Sequence, residues 1–185
     1  MATTAKTKAS RREAAPPPGP ETAPPQDAIA LLEADHQAVD DLFEQYADLT
    51  DAADKKSLAT KICLALKVHT QIEEEIFYPA ARDATGDTDL LDEAAVEHAG
   101  AKTLIAEIEA MQPGQPLYDA KITVLSRQVR HHVEEEEEEL FPEVRETKLE
   151  LELELDKLGA KLAARKSELM AAMTPPHSLP IVKSH

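Results

Sequence analysis

The sequence predicts an all-α protein: an antiparallel up-down-up-down four-helix bundle, followed by an additional C-terminal helix and flanked by disordered tails. Three observations carry this expectation. The composition, with five Gly, no Trp and three each of Tyr and Phe against abundant Ala, Leu, Glu and Lys, suits helices better than sheets. Four segments repeat apolar residues every three or four positions, the period of an amphipathic helix. The polar breaks between those segments are short, which makes successive helices antiparallel neighbours.

Residues 1–26 are rich in proline and contain no Val, Ile, Leu or Phe, so they cannot bury enough apolar surface to offset the entropy of ordering. They are expected to be a disordered tail, basic at Lys6, Lys8, Arg11 and Arg12. The first helix runs from Asp27, a plausible N-cap, to Leu49, with Ile29, Leu32, His36, Val39, Phe43 and Tyr46 on one stripe. The second runs from Ala52 to Arg82, with Leu58, Ile62, Leu66, His69, either Ile72 or Glu73, and Ile76, and ends at the break ATGDTD. The third, Leu90 to Met111, carries Leu91, Ala94, His98, Ala101, Ile105 and Ile108 and stops at QPGQP. The fourth starts near Leu117 and aligns Tyr118, Ile122, Leu125, Val129, His132, Glu136 and Leu140, with Pro142 expected to kink or end it. This bundle is assigned residues 27–147.

In residues 148–173, Leu149, Leu151, Leu153 and Leu155 alternate as a strand would, but Leu, Glu and Lys favour a helix. The helix reading gives Leu151, Leu155, Leu158, Leu162 and Leu169 a near-heptad stripe, able either to pack on the bundle or to pair with a second chain. Residues 174–185 are proline-rich and expected to be a second tail, which makes His177 and His185 incidental.

Each bundle helix places one histidine inside its apolar stripe. A single buried histidine is ordinary; four need shared partners, because burying them unpaired would cost several kcal/mol. An internal repeat supplies the reason: residues 69–82, HTQIEEEIFYPAAR, align without gaps on residues 132–145, HVEEEEEELFPEVR, with six of 14 positions identical. His36 precedes His69 by 33 residues and His98 precedes His132 by 34. The bundle therefore reads as two copies of a helix pair.

In His-x-x-x-Glu, side chains four apart share a helix face and can reach one metal ion. Two such helices, with one histidine from each of the other two, bring four imidazoles and two carboxylates to the bundle centre, where pseudo-two-fold symmetry divides them between two cations. This donor set suits Fe, Mn or Zn, and a lone cysteine, Cys63, excludes thiolate clusters and internal disulfides. With Glu73 and Glu136 bridging, octahedral ions would keep open positions for an exogenous ligand.

Asp35-His36, His69-x-x-x-Glu73 with its Glu-Glu-x-Phe-Tyr-Pro sequel, Glu97-His98, and His132-x-x-x-Glu136 followed by Leu-Phe-Pro together resemble the hemerythrin-like HHE cation-binding domain. The resemblance implies an antiparallel bundle around a non-heme di-iron centre, two iron ions with an oxo or hydroxo bridge, that meets dioxygen, peroxide or nitric oxide. It also implies ligand roles for His36, His69, Glu73, His98, His132 and Glu136. Oxygen-carrying members of that family have a further histidine where this chain has Lys102, and their last helix has its carboxylate five residues after the histidine rather than four. The pattern here points away from reversible oxygen carriage. It fits oxidant chemistry, catalase-like or peroxide-scavenging activity included, and also a non-catalytic iron or redox sensor or an iron buffer. A metal-free acidic interaction protein is the remaining alternative, and manganese and zinc rank below iron.

Phase and setting distinguish the other residues. His131 lies ~100° from His132 around the helix and reads as a surface or supporting group. Of the run Glu134–Glu139 only Glu136 has the inward phase; Glu137 and Glu74 could orient ligands. Glu33-x-x-His36 echoes a ferritin-like pattern that no other helix repeats. Tyr46, Tyr78 and Tyr118 read as core aromatics, with approach to the centre as donors or redox groups the alternative, least so for Tyr118; Cys63 reads as an inert buried thiol, and Gly100 as a position that leaves room beside the centre. A net charge of −16 repels phosphate backbones and anionic lipid, and no apolar run spans a bilayer, so neither nucleic acid nor a membrane is an expected partner. One cysteine and no opening signal segment suggest a reducing, cytoplasmic compartment.

Overall fold

A computed structural model describes residues 27–86, 88–146 and 152–174. The expected tail at residues 1–26, the terminal stretch from residue 175 with His177 and His185, and Leu149 and Leu151 lie outside the described residues. Helix α1 spans Ala28–Asp48, α2 Ala52–Ile72, α3 Tyr78–Thr85, α4 Asp89–Glu109, α5 Tyr118–Glu135, α6 Phe141–Glu146 and α7 Glu152–Met173. The long helices α1, α2, α4 and α5 each pack against two neighbours and close the antiparallel four-helix bundle, with α7 laid across α1 and α2.

Local chemistry explains the boundaries. Asp27 caps α1 by accepting the Ala30 N–H at 2.8 Å, and Asp51 caps α2 by accepting those of Ala53 and Asp54, each satisfying donors the helix leaves free. Gly86 ends α3 with a left-handed φ of 74°, a conformation that costs an L side chain energy.

The expected second helix is not uniformly α. Between α2 and α3 the chain makes a π-turn, Glu73–Phe77, in which the Tyr78 N–H bonds to the Glu73 carbonyl. A second π-turn, Glu136–Leu140, stands between α5 and α6, with Phe141 N–H on the Glu136 carbonyl. Pro79 and Pro142 follow two residues after these turns end. In an α-helix a proline ring would press on the carbonyl four residues back and leave it without a donor; the widened turn accommodates both defects and lets the helix continue. Pro142 thus does not end the fourth helix, since α6 runs through it.

The apolar interior is two clusters. One contains Ile29, Leu32, Ile72, Phe77, Leu91, Leu140 and Phe141; the other contains Val39, Phe43, Ile62, Leu66, Ile105, Tyr118 and Leu125. Leu155, Leu162 and Leu169 of α7 are buried in the first cluster, so the leucine stripe lies against the chain's own bundle. Between the clusters lies a layer of buried polar residues: His36, His69, Glu73, His98, His132 and Glu136. No helix among the described residues is long and apolar enough to cross a membrane.

Candidate metal centre

The six residues singled out by spacing converge. Residues two turns into α1, near the end of α2, midway along α4 and near the end of α5 meet at one level because antiparallel neighbours run past each other. His36 and His69 face each other with Nε2 atoms 3.1 Å apart; His98 and His132 do the same, also at 3.1 Å. Glu73 lies between the pairs, with Oε1 3.1 Å from His69 Nε2 and Oε2 3.5 Å from His98 Nε2. Glu136 Oε2 lies 3.3 Å from His36 Nε2 and 3.5 Å from His132 Nε2. One group of potential ligand atoms comprises His36, His69, Glu73 and Glu136, a second Glu73, His98 and His132.

Each imidazole is backed by a carboxylate at its other nitrogen. His36 Nδ1 pairs with Glu137 Oε1 at 2.8 Å, His98 Nδ1 with Glu74 Oε1 at 3.0 Å and His132 Nδ1 with Glu97 Oε2 at 2.8 Å. His69 Nδ1 faces Asp35 Oδ2 at the longer 3.7 Å, and Asp35 is held by Lys166 of α7. A carboxylate can only accept, so the three hydrogen-bonded contacts assign the proton of His36, His98 and His132 to Nδ1 and leave Nε2 a bare lone pair in the neutral imidazole. Two bare lone pairs 3.1 Å apart, as at His98 and His132, repel unless a cation lies against both. That separation is also the edge between neighbouring ligands when bonds are about 2.1 Å.

The carboxylates give the same indication. Both oxygens of Glu73, Glu136 Oε2 and His69 Nδ1 are buried without a hydrogen-bond partner. Leaving buried charged oxygens unpaired is costly, and a cation shared between them removes the deficit. Protons partly stand in for it. Burial works against charging His69, yet the Glu73 carboxylate and the Asp35 contact outweigh it and raise its pKa to about 10. Burial likewise pushes Glu136 up, but the His36 contact and the charges of His132, His36 and His69 hold it down at about 2. The residues present fit a pair of cations.

Tyr78 is the site residue that the sequence reading placed in the core. Its hydroxyl donates to Glu136 Oε1 at 2.8 Å and lies 3.3 Å from His98 Nε2, with its ring stacked on His98. Burial, together with Glu73 and Glu136, pushes the phenol well above its ordinary pKa, which keeps it a neutral donor. In the second repeat the equivalent residue is Phe141, which stacks on His36 with ring centroids 5.9 Å apart and offers no hydrogen bond. The two carboxylates therefore differ: Glu73 has both oxygens free toward the imidazoles, whereas Glu136 gives one to Tyr78. Asp35 and Glu97 were visible only as the acids preceding His36 and His98. Each backs the histidine of the next helix, His69 and His132.

The remaining candidates separate cleanly. Glu33 is exposed, which leaves the ferritin-like spacing unused. Of Glu134–Glu139 only Glu136 is buried, and Glu137 and Glu74 do orient imidazoles. His131 is exposed. Tyr46 donates to Asp119 and Tyr118 is buried in the second apolar cluster, both remote from the histidines. Cys63 is buried, and burial pushes its thiol up to about 11, the state of an unreactive thiol. Lys102, in the place of a further histidine, reaches Glu74 at 2.6 Å and braces the partner of His98.

A cavity of about 400 Å³ borders the four imidazoles; its wall carries apolar groups including Val39, Leu66, Ala101 and Val129, with Gly100 and Val96, and also Asp35, Glu97 and His131. A Cβ built on Gly100 meets nothing within 4 Å, so the room expected beside the centre exists.

The comparisons with known proteins agree with this geometry. A Nostoc sp. protein described as a DNA nickase is 31% identical over 120 residues, covering 65% of this chain and 33% of that protein; the chain thus spans about a third of that relative's length. A crystal structure of a hemerythrin HHE cation binding domain-containing protein from Mycobacterium kansasii superposes with a TM-score of 0.69 at 24% identity, covering 80% of this chain and 89% of that one, and shares its fold. The family model described as the hemerythrin HHE cation binding domain matches residues 27–144, which include all six inward histidines and glutamates. The chain belongs to the hemerythrin HHE cation-binding domain family.

Proposed function

We propose that the chain binds two iron ions between its four imidazoles and two buried carboxylates, and that this centre binds or reacts with dioxygen, peroxide or nitric oxide. The observation that supports the reading is the pair of facing Nε2 atoms on either side of Glu73, an arrangement whose bare lone pairs call for two cations. Bound iron would supply open coordination positions and a one-electron redox change. Everything else is the work of the chain. Glu137, Glu74 and Glu97 hold three imidazoles in the donor tautomer; Glu73 spans the two halves; Tyr78 supplies a fixed neutral hydroxyl; the cavity beside the imidazoles gives a small molecule room to reach the centre.

Oxidant handling, sensing and iron handling all use this centre, in a reducing compartment where the single buried thiol stays reduced. The nicking of DNA named for the Nostoc protein stays with that longer protein, because a net charge of −16 repels a phosphate backbone. The test is metal content and optical spectrum after anaerobic reconstitution. About two irons per chain are expected from the ligand count, with near-ultraviolet bands that change on adding peroxide. Glu73→Ala should lose paired binding while Gln37→Ala, on the exposed face of α1, keeps it. A wild-type chain that takes up no metal on reconstitution would falsify the reading.

A further inference from the structure

A third cluster of potential ligand atoms lies on the surface where α4 meets α5. Glu97, His131 and Glu135 each present one, and the three lie within 4.8 Å of one another. His131 and Glu135 stand one turn apart on α5, Nε2 to Oε1 at 3.5 Å, while Glu97 reaches over from α4. Ligand atoms bonded at about 2.0–2.2 Å to one cation lie roughly 3 to 4.3 Å apart, so small adjustments of these side chains close one coordination sphere.

Three independent features point to a ligand there. First, among the described residues no Lys or Arg pairs with Glu97 or Glu135, whereas Asp35, the repeat equivalent of Glu97, is paired with Lys166, and Glu74 with Lys102. Second, Glu97 spends one oxygen, Oε2, on His132 Nδ1 at 2.8 Å, which leaves its other oxygen for a cation and puts a single carboxylate in touch with both the surface cluster and the buried layer. Third, Glu97 and His131 line the same cavity as all four inward imidazoles, so open space joins the cluster to the centre.

We infer that Glu97, His131 and Glu135 form a capture site for a divalent transition-metal cation at the mouth of the cavity, through which the buried centre is loaded. One imidazole with two carboxylates is a donor set for Fe(II), Co(II) or Zn(II), and exposed ligands hold such an ion weakly enough to release it. The loading role rests on the buried pair binding metal; the capture site itself does not.

The experiment uses Co(II) with the metal-free full-length chain, comparing wild type, the double variant His131→Ala/Glu135→Gln, and the control Glu138→Gln. Glu138 is exposed in the same acidic run and reproduces the loss of one negative charge. Helicity is checked by circular dichroism for each. Wild type should bind one weak Co(II) beyond the buried pair, and the double variant should lose it. Filling of the buried centre, followed by the visible bands of Co(II), should slow about tenfold or more in the double variant, with the same final buried content. Unchanged stoichiometry and rate in the double variant overturn the proposal, as does an equal slowing in Glu138→Gln, which would show only the general pull of acidic charge. A wild type that fills no buried pair, yet holds one Co(II) that the double variant loses, upholds the capture site and overturns the reading of the buried centre.

Discussion

Tyr78 and Phe141 hold equivalent places in the two repeats, and the difference between them is one hydroxyl. That hydroxyl occupies Glu136 Oε1 with a hydrogen bond and makes the two halves of the centre chemically unequal. Tyr78→Phe gives both halves the same ring. In the metal-free protein it leaves a further buried carboxylate oxygen without a donor, and a stability loss of about 1.5–3 kcal/mol is expected in chemical denaturation. In the loaded protein the freed oxygen can turn to a cation, so the loss should shrink and the optical bands should shift; equal losses in both states would mean that Glu136 Oε1 does not reach the centre. The six inward residues were legible because a histidine inside an apolar stripe, repeated on four helices, has no cheap explanation. Tyr78 was not, because an aromatic on such a stripe is core by default and its hydroxyl partner sits 58 residues away on another helix. The outer carboxylates Asp35 and Glu97 left a sequence trace, an acid before each of two histidines, but which imidazole each one backs depends on how neighbouring helices cross.

At the level of elements, the π-turns begin at the two buried glutamates and end two residues before the two prolines. Apolar periodicity cannot show such a turn, since one extra residue in the hydrogen-bonded loop leaves the stripe on either side intact. The paired Glu and Pro, six residues apart in both repeats, are the trace it leaves. Helix α4 contains Gly100 with open space where a Cβ would stand. Gly100→Ala should raise stability by about 0.5–1 kcal/mol through the lower cost of ordering a helical residue, read as a higher melting temperature with unchanged metal content. A decrease would mean that the wall of the cavity is tighter than its geometry. The leucines of 148–173 alternate as a strand would while their residue types favour a helix, and from Glu152 to Met173 the chain is helical. What sequence left open was the partner of its stripe, because a heptad face suits a bundle and a second chain equally. With Leu162 fully buried against the chain's own first cluster, Leu162→Ala should cost about 2–5 kcal/mol in denaturant unfolding. A loss under about 0.5 kcal/mol, the range of surface substitutions, would mean that α7 contributes little to the fold.

For the whole molecule, cation binding and folding are linked. A ligand that binds only the folded chain stabilises it, so the melting temperature should fall when metal is removed by a chelator. The dependence on pH has a definite sign. His69, raised from 6.5 to about 10, stabilises the metal-free fold fully below its unfolded pKa, and that contribution is lost as pH rises through about 10. Glu136, lowered from 4.5 to about 2, contributes above its unfolded pKa and loses that contribution as pH falls through about 2. The metal-free protein should therefore be most stable between about pH 4.5 and 6.5. Cations need the imidazoles unprotonated, so the gain in melting temperature on loading should grow from about pH 6 to about pH 8. A gain independent of pH would show that protons and metal do not compete for these nitrogens.

The buried polar layer has one more consequence. It separates two apolar clusters, one built from the start of α1, the end of α2, the start of α4 and from α3, α6 and α7, the other from the rest of α1, α2 and α4 together with α5. Amides of the two clusters belong to separate packing units that share only the histidine level. With that level uncrosslinked, each end of the bundle can open as a unit of its own; with its imidazoles and carboxylates tied to common ions, the ends must open together. The cooperativity of this molecule is made at its waist, by the same six side chains proposed to hold the cations.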